Sequence, residues 1–158
     1  MNKTAKRSWQ RVRQLSLALS LVTLVACSDS TDFVTDSGGA QQWDDLRGQY
    51  VVVNYFAEWC APCLKELPEL NEFHQLHQQE VTLLGVSFDP MNNDQLAELK
   101  TKHGIEFPLI QTTPTPNLPF PRPDMLPATY IVTPEGDVKG PLLGEQTLDS
   151  LRTAAGLG

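Results

Sequence analysis

The chain is poor in cations. Its 158 residues carry 12 Lys and Arg against 19 Asp and Glu, a formal charge of −7. Five of the cations (Lys3, Lys6, Arg7, Arg11 and Arg13) stand ahead of one apolar run; without them the rest holds seven basic and nineteen acidic side chains, a charge of −12. Such a surface repels phosphates, which excludes nucleic acid as a partner. Cysteine is equally scarce: three residues cannot build a disulfide scaffold. There are no internal repeats. The uncharged run Leu15–Ala26 has only twelve residues, too few for a bilayer span of about 20. The composition is 41% hydrophobic and 20% charged, which excludes whole-chain disorder. The length allows one domain with a substantial core, and not two.

The first residues read as an address. A basic segment followed by a short apolar run fits a secretory signal peptide. It ends in Leu24-Val25-Ala26-Cys27, which resembles the bacterial lipobox. That resemblance implies removal of residues 1–26 and lipidation of Cys27, with the lipid membrane as a partner through that residue. Acyl chains contribute about 0.8 kcal/mol per buried CH₂, enough for a permanent anchor. Residues 27–42, rich in Ser, Asp and Gly, read as the anchor and a flexible tether. Ser28 slightly favours the outer membrane over the inner, by similarity to enteric lipoproteins.

Residues 43–158 read as the folded domain. Tyr50–Phe56 and Val81–Phe88 are nearly unbroken β-branched, leucine and aromatic runs, the pattern of strands buried on both faces. Between them, Cys60–Gln78 carries Leu64, Leu67, Leu70, Phe73 and Leu76, with Pro68 expected to kink the helix so that its halves bury different stripes. Strand, helix and strand imply a right-handed parallel βαβ unit. A short helix follows from Asp94 to His103, capped by Asn93 and stopped by Gly104. Ile105–Ile110 reads as a brief edge strand. Five prolines in Thr113–Asp124 read as an extended surface loop, since proline cannot donate to a ladder. Thr129–Thr133 and Val138–Leu143 form a hairpin around Pro134–Asp137, and Thr147 caps a final helix. The fold class is α/β, a central mixed sheet flanked by helices in the order β-α-β-α-(β)-β-β-α.

The loop after the first strand reads Trp59-Cys60-Ala61-Pro62-Cys63. A C-x-x-C pair at a strand-to-helix junction reads as a redox dithiol. The helix N-terminus favours a thiolate on Cys60, and two intervening residues bring Cys63 within reach to close a disulfide. Cys60 is then the attacking nucleophile and Cys63 the resolving thiol. Pro62 stiffens the turn. A zinc site needs four ligands, and His74 and His77 lie about ten residues farther along the helix, some 15 Å away. No metal and no separate cofactor is expected beyond the Cys60–Cys63 disulfide. His74, His77 and His103 read as solvated helix residues, and Asp89 as a turn cap.

Val53–Cys63 looks like the thioredoxin active-site segment. Cys63-Leu64-Lys65-Glu66-Leu67-Pro68 resembles more narrowly the TlpA/ResA-like thiol–disulfide oxidoreductases, which often place a Glu three residues after the second cysteine. Leu126-Pro127-Ala128-Thr129 is similar to the segment that sets a cis-proline against the disulfide. The resemblance covers about Trp43 to Ala155 and implies a thioredoxin-like fold. It further implies a substrate groove at Trp59, Pro62, Leu126 and Pro127. Two positions depart from the pattern. Asn54 stands where thioredoxin has a buried Asp, which makes Glu66 the candidate proton acceptor for Cys63. Met125 stands where the family usually has Gly.

These readings imply a membrane-tethered periplasmic enzyme, a monomer, that reduces disulfides of envelope proteins, including apocytochrome c. Its electrons would come from a membrane donor of the DsbD/CcdA type. A thiol peroxidase on the same fold would need a Thr three residues before Cys60, and position 57 is Ala. A copper metallochaperone would need a wider cysteine spacing and a late His.

Overall fold

The computed structural model describes residues 31–158. The signal-like segment 1–26 and Cys27 lie outside the described residues. The chain runs β1 (Phe33–Thr35), β2 (Gly39–Gln41), a 3-10 turn (Trp43–Leu46), β3 (Tyr50–Phe56), α1 (Ala61–His77), β4 (Val81–Ser87) and α2 (Asn93–His103). It continues through β5 (Leu109–Ile110), β6 (Ala128–Val132), β7 (Val138–Leu143) and α3 (Leu148–Ala154).

All seven strands join one mixed sheet in the order β2-β1-β5-β4-β3-β6-β7. β3 and β4 pair in parallel from Tyr50↔Val81 to Phe56↔Ser87, the βαβ unit expected from the two apolar runs. β6 lies antiparallel on the other side of β3, with Tyr55 opposite Ala128. Alternate residues of the central strands feed two cores. Val52, Phe56 and Leu83 pack with Leu67, Leu70 and Phe73 of α1, Leu96 and Leu99 of α2, and Leu151 of α3. Val51, Val53, Tyr55, Leu84, Val86 and Tyr130 face the other way, onto Phe33 and Phe120. That second face is covered by the N-terminal segment, including Trp43 and Leu46 of the 3-10 turn, and the proline-rich connection, with no α-helix among the described residues packed on it.

Several expectations are corrected. Residues 33–41, read as tether, form a hairpin whose first strand pairs with β5 through Thr35↔Ile110. Phe33 is buried there, and Gly39 takes the positive φ of 74° that the tight turn needs. β5 is therefore interior to the sheet, not an edge. In α1 the buried positions are Cys63, Glu66, Leu67, Leu70 and Phe73, a single stripe of three- and four-residue steps. Leu76 falls off that stripe and is exposed, and one helix runs through Pro68, whose ring lies on the solvent side. Asn92, not Asn93, caps α2, in a capping box with Gln95.

Candidate active site

β3 delivers the chain to the redox loop. Its end is closed by a hydrogen bond from Cys60 N–H to Ala57 O at 3.1 Å. Cys60 keeps an extended backbone and serves as the N-cap of α1, where its Sγ accepts the N–H of Cys63 at 3.3 Å. A sulfur in the cap position takes the place of the usual Ser or Asp oxygen and accepts one of the free N–H groups of the first turn. Pro62 occupies that first turn, where its missing N–H leaves no intrahelical bond unmade. Cys60 and Cys63 are joined in a disulfide, with 5.3 Å between their Cα atoms. Cys60 retains 6% exposure and Cys63 none, so the N-terminal sulfur is the one nearer solvent.

The flanking residues hold the loop in place. Trp59 is two-thirds exposed, lies edge-on to Phe88 at 6.1 Å between ring centroids, and donates its Nε1–H to Asp89 at 2.8 Å. Asp89, expected as a turn cap, thus partners the tryptophan through its carboxylate. Glu58 accepts from Lys102 and lies 3.1 Å from His103 Nε2, tying the loop to the end of α2. Those two contacts, Lys102 first, hold the Glu58 carboxyl below its ordinary range. His103 is therefore a partner of the redox loop and not merely solvated.

The Leu126–Pro127 bond is cis. The antiparallel register that sets Ala128 against Tyr55 puts Pro127 level with Phe56, where β3 runs into the redox loop. Pro127 is buried, and Leu126 packs against the core cluster that contains both cysteines. Met125 stands 59% exposed just before them. The expected groove residues Trp59, Pro62, Leu126 and Pro127 therefore gather at one end of the sheet.

Glu66 is fully inside. It sits one turn beyond Cys63 on the same buried stripe and is 1% exposed. Its Oε1 accepts from Asn54 Nδ2 at 2.8 Å and its Oε2 from the Gln146 N–H at 2.8 Å. Burial pushes its pKa up to about 7, against the lowering pull of those two donors. Asn54 also donates to Thr129 Oγ1 at 3.1 Å, while its own Oδ1 has no partner. A carboxylate needs donors and a carboxylic acid needs an acceptor. By rotating its amide, Asn54 can offer Glu66 either one. Sequence reasoning set Asn54 aside because an amide cannot carry a proton, and it missed Gln146 because 80 residues separate it from Glu66. The only signal for Asn54 is a polar residue inside an apolar strand.

The AhpC/TSA family profile matches residues 28–140. The chain belongs to the AhpC/TSA family. Within it, the chain is similar to the thiol-disulfide oxidoreductase ResA of Bacillus subtilis, 29% identical over 125 residues, covering 76% of this chain and 68% of the relative. ResA of Geobacillus thermodenitrificans is 28% identical over 130 residues, covering 79% and 73%. Among solved structures, StoA from Bacillus subtilis superposes with a TM-score of 0.64 at 22% identity, over 77% of this chain and 92% of that one. A thioredoxin-family thiol:disulfide interchange protein from Chlorobium tepidum gives 0.64 at 22%, over 78% and 89%. Those two establish the thioredoxin-like fold. With the Cys60–Cys63 pair at the start of α1, this AhpC/TSA chain is a ResA-like thiol–disulfide oxidoreductase.

Proposed function

We propose that the protein reduces disulfides of envelope proteins as a membrane-tethered enzyme, with Cys60 as nucleophile, Cys63 as resolving thiol and Glu66 as proton acceptor. The observation that carries this reading is the asymmetry of the pair: Cys60 caps the helix and touches solvent, while Cys63 is sealed one turn from a buried acid. In the reduced form the Cys60 thiolate attacks one sulfur of the substrate disulfide. A mixed disulfide forms and the first substrate thiolate leaves. Cys63 gives its proton to the Glu66 carboxylate and attacks Cys60 Sγ. The Cys60–Cys63 disulfide closes and the second substrate sulfur leaves as a thiol after taking up a proton. Two electrons have moved to the substrate. A dithiol on a donor of the DsbD/CcdA type returns them by the same exchange in reverse.

A pKa of about 7 suits this role, because a base works best when its proton affinity matches the working pH. The groove end of the sheet, with exposed Trp59 and Met125 beside Pro127, offers an apolar seat for an extended substrate. One copy holds the whole dithiol site, which supports action as a monomer. Export and lipidation at Cys27 rest on the basic segment, the twelve-residue apolar run and the Leu24–Cys27 motif. That placement is periplasmic, with the outer membrane favoured by Ser28. Apocytochrome c is one substrate this reading admits. A peroxidase reading has less support, since Ala57 offers no hydroxyl three residues before Cys60.

The test is trapping. Reduced Cys63→Ser protein mixed with a disulfide-bearing envelope protein should accumulate a covalent complex through Cys60, and Cys60→Ser should accumulate none. Complexes formed only through Cys63 would reverse the roles. The direction of electron flow is read by equilibrating the domain in dithiothreitol buffers: a potential near about −270 mV marks a reductant, and one near about −120 mV an oxidant.

A further inference from the structure

On the face without an α-helix, an open cavity of about 330 Å³ lies between the ends of β3 and β4 and the proline-rich connection. Tyr55, Phe88, Leu118 and Phe120 form its apolar walls, with Thr115 and Arg122 among its polar lining. Its size is at the lower end for a ligand site. Tyr55 and Arg122 are two of the donors that line it. Tyr55 is 5% exposed, and its hydroxyl has no hydrogen-bond partner among the described residues. Burial first, and the nearby Tyr130 second, push its pKa up to about 12, so it keeps its proton although Arg122 pulls the other way. Arg122 stacks on the Phe88 ring at 3.6 Å and gives one N–H to Phe88 O at 2.9 Å. Among the described residues no carboxylate pairs with it, and it is the sole Lys or Arg between His103 and Lys139. A fixed guanidinium with unused N–H groups and a neutral phenol together present donors over aromatic walls.

Phe88 of the cavity wall links it to the redox loop. Phe88 shows one side to Trp59 at 6.1 Å and carries Arg122 at 3.6 Å. These two steps start at the ring of Trp59, the neighbour of Cys60 in sequence, and span at most about three residues of extended chain at roughly 3.3 Å each. We propose that the cavity is a substrate subsite. It takes an apolar side chain with an adjacent carboxylate, about three residues from the disulfide of the partner polypeptide, and Arg122 and Tyr55 bind the carboxylate. The proposal rests on the thiol-exchange reading above, and the experiment separates the two.

Short peptides carrying one cysteine as a mixed disulfide with thionitrobenzoate are offered to the reduced protein, with Leu-Glu, Leu-Gln or Ala-Glu three residues from the cysteine. The Leu-Glu peptide should be reduced with a kcat/KM about tenfold above the other two, a difference near 1.4 kcal/mol. Arg122→Gln should bring the Glu-to-Gln ratio toward one, and Thr115→Trp, which crowds the cavity, should do the same for Leu against Ala. In parallel, a cysteine-free Leu-Glu peptide is titrated into the oxidised protein and followed by amide shifts of Phe88, Phe120 and Arg122. Those shifts should appear in the wild type and vanish in Arg122→Gln. All three peptides reduced within twofold of one another, with no shifts, would overturn the subsite and leave the oxidoreductase standing. Shifts without reduction of any disulfide would keep the binding site and overturn its role as a substrate subsite together with the exchange reading.

Discussion

Replacing Glu66 by Gln removes one buried titration and leaves the rest of the network nearly isosteric. Burial pushes the folded carboxyl up to about 7 from its ordinary 4.5, which corresponds to about 3 kcal/mol at roughly 1.36 kcal/mol per pH unit. Below the lower value both folded and unfolded chains hold the proton. Between the two values the folded chain keeps it and the unfolded chain has lost it, so the native state binds more protons and stability falls as pH rises. Above about 7 the deficit is complete and constant. The oxidised wild-type protein should therefore lose up to about 3 kcal/mol across that window from this group alone, and Glu66→Gln should flatten the decline. A Gln side chain can accept from Gln146 N–H and give its own N–H to the unpartnered Oδ1 of a rotated Asn54, which keeps the variant folded. Urea unfolding of both proteins between about pH 4 and 8 reads the difference directly. Resolution of the mixed disulfide supplies the kinetic half: it should rise through pH 7 in the wild type and run about 10²-fold slower, without that inflection, in Glu66→Gln. Equal stability slopes, or a Glu66 carboxyl found by NMR to titrate near 4.5, would refute the argument.

Gly85 lies where an added Cβ would come within 2.5 Å of Leu109 Cδ2 and 2.8 Å of the Phe107 ring, so Gly85→Ala should cost about 1–3 kcal/mol, read as a lower urea midpoint. A chain beginning at Thr31 should keep full exchange with glutathione, since both cysteines and Glu66 are retained; loss of activity would draw Cys27 into the chemistry. A chain beginning at Trp43 should instead be destabilised, because it loses buried Phe33, whose side chain alone is worth about 3–5 kcal/mol, and strips β5 of its neighbour; a melting point equal to that of the longer chain would show the hairpin to be dispensable. Cys27→Ser should leave an unprocessed precursor on a gel.

What could be read without coordinates depended on how local the cause was. β3, β4 and the Cys60–Cys63 turn follow from apolar runs and a motif confined to a few neighbours. The three-residue strands β1 and β2 carry little pattern, and Asp36, Ser37 and Gly38 between them have, with Gly39, the composition of a linker. Only Phe33 and Val34 hinted otherwise, and the strand they open pairs through Thr35 with Ile110, far along the chain. Glu66 follows from the family resemblance, which sets a Glu three residues after the second cysteine, yet an acid on a helix is ordinarily exposed. Its burial is decided by Asn54 and Gln146, which the fold brings from either side. The cavity at Arg122 depends on how Phe120 of the proline-rich segment packs edge-on to Tyr55 at 6.4 Å, a long-range contact with no local signature.

The N-terminal hairpin also fixes how the molecule can be moored. Asp32 is held by its N–H to Gln41 O, its carbonyl to the Asn117 N–H, and its carboxylate to Trp43 N–H and Asn117 Nδ2. Because β1 is antiparallel to β5, and β5 and β3 both run parallel to β4, Asp32 leaves the sheet at the same end as the Cys60 loop. It stands three strand spacings to the side, about 14 Å. For a chain acylated at Cys27, only five residue steps separate the lipid from that fixed point, a contour of at most about 17 Å. So short a leash, fastened at the redox end, would hold the dithiol toward the bilayer and keep it from sweeping the space beyond. Partners would have to present their sulfurs close to the membrane surface.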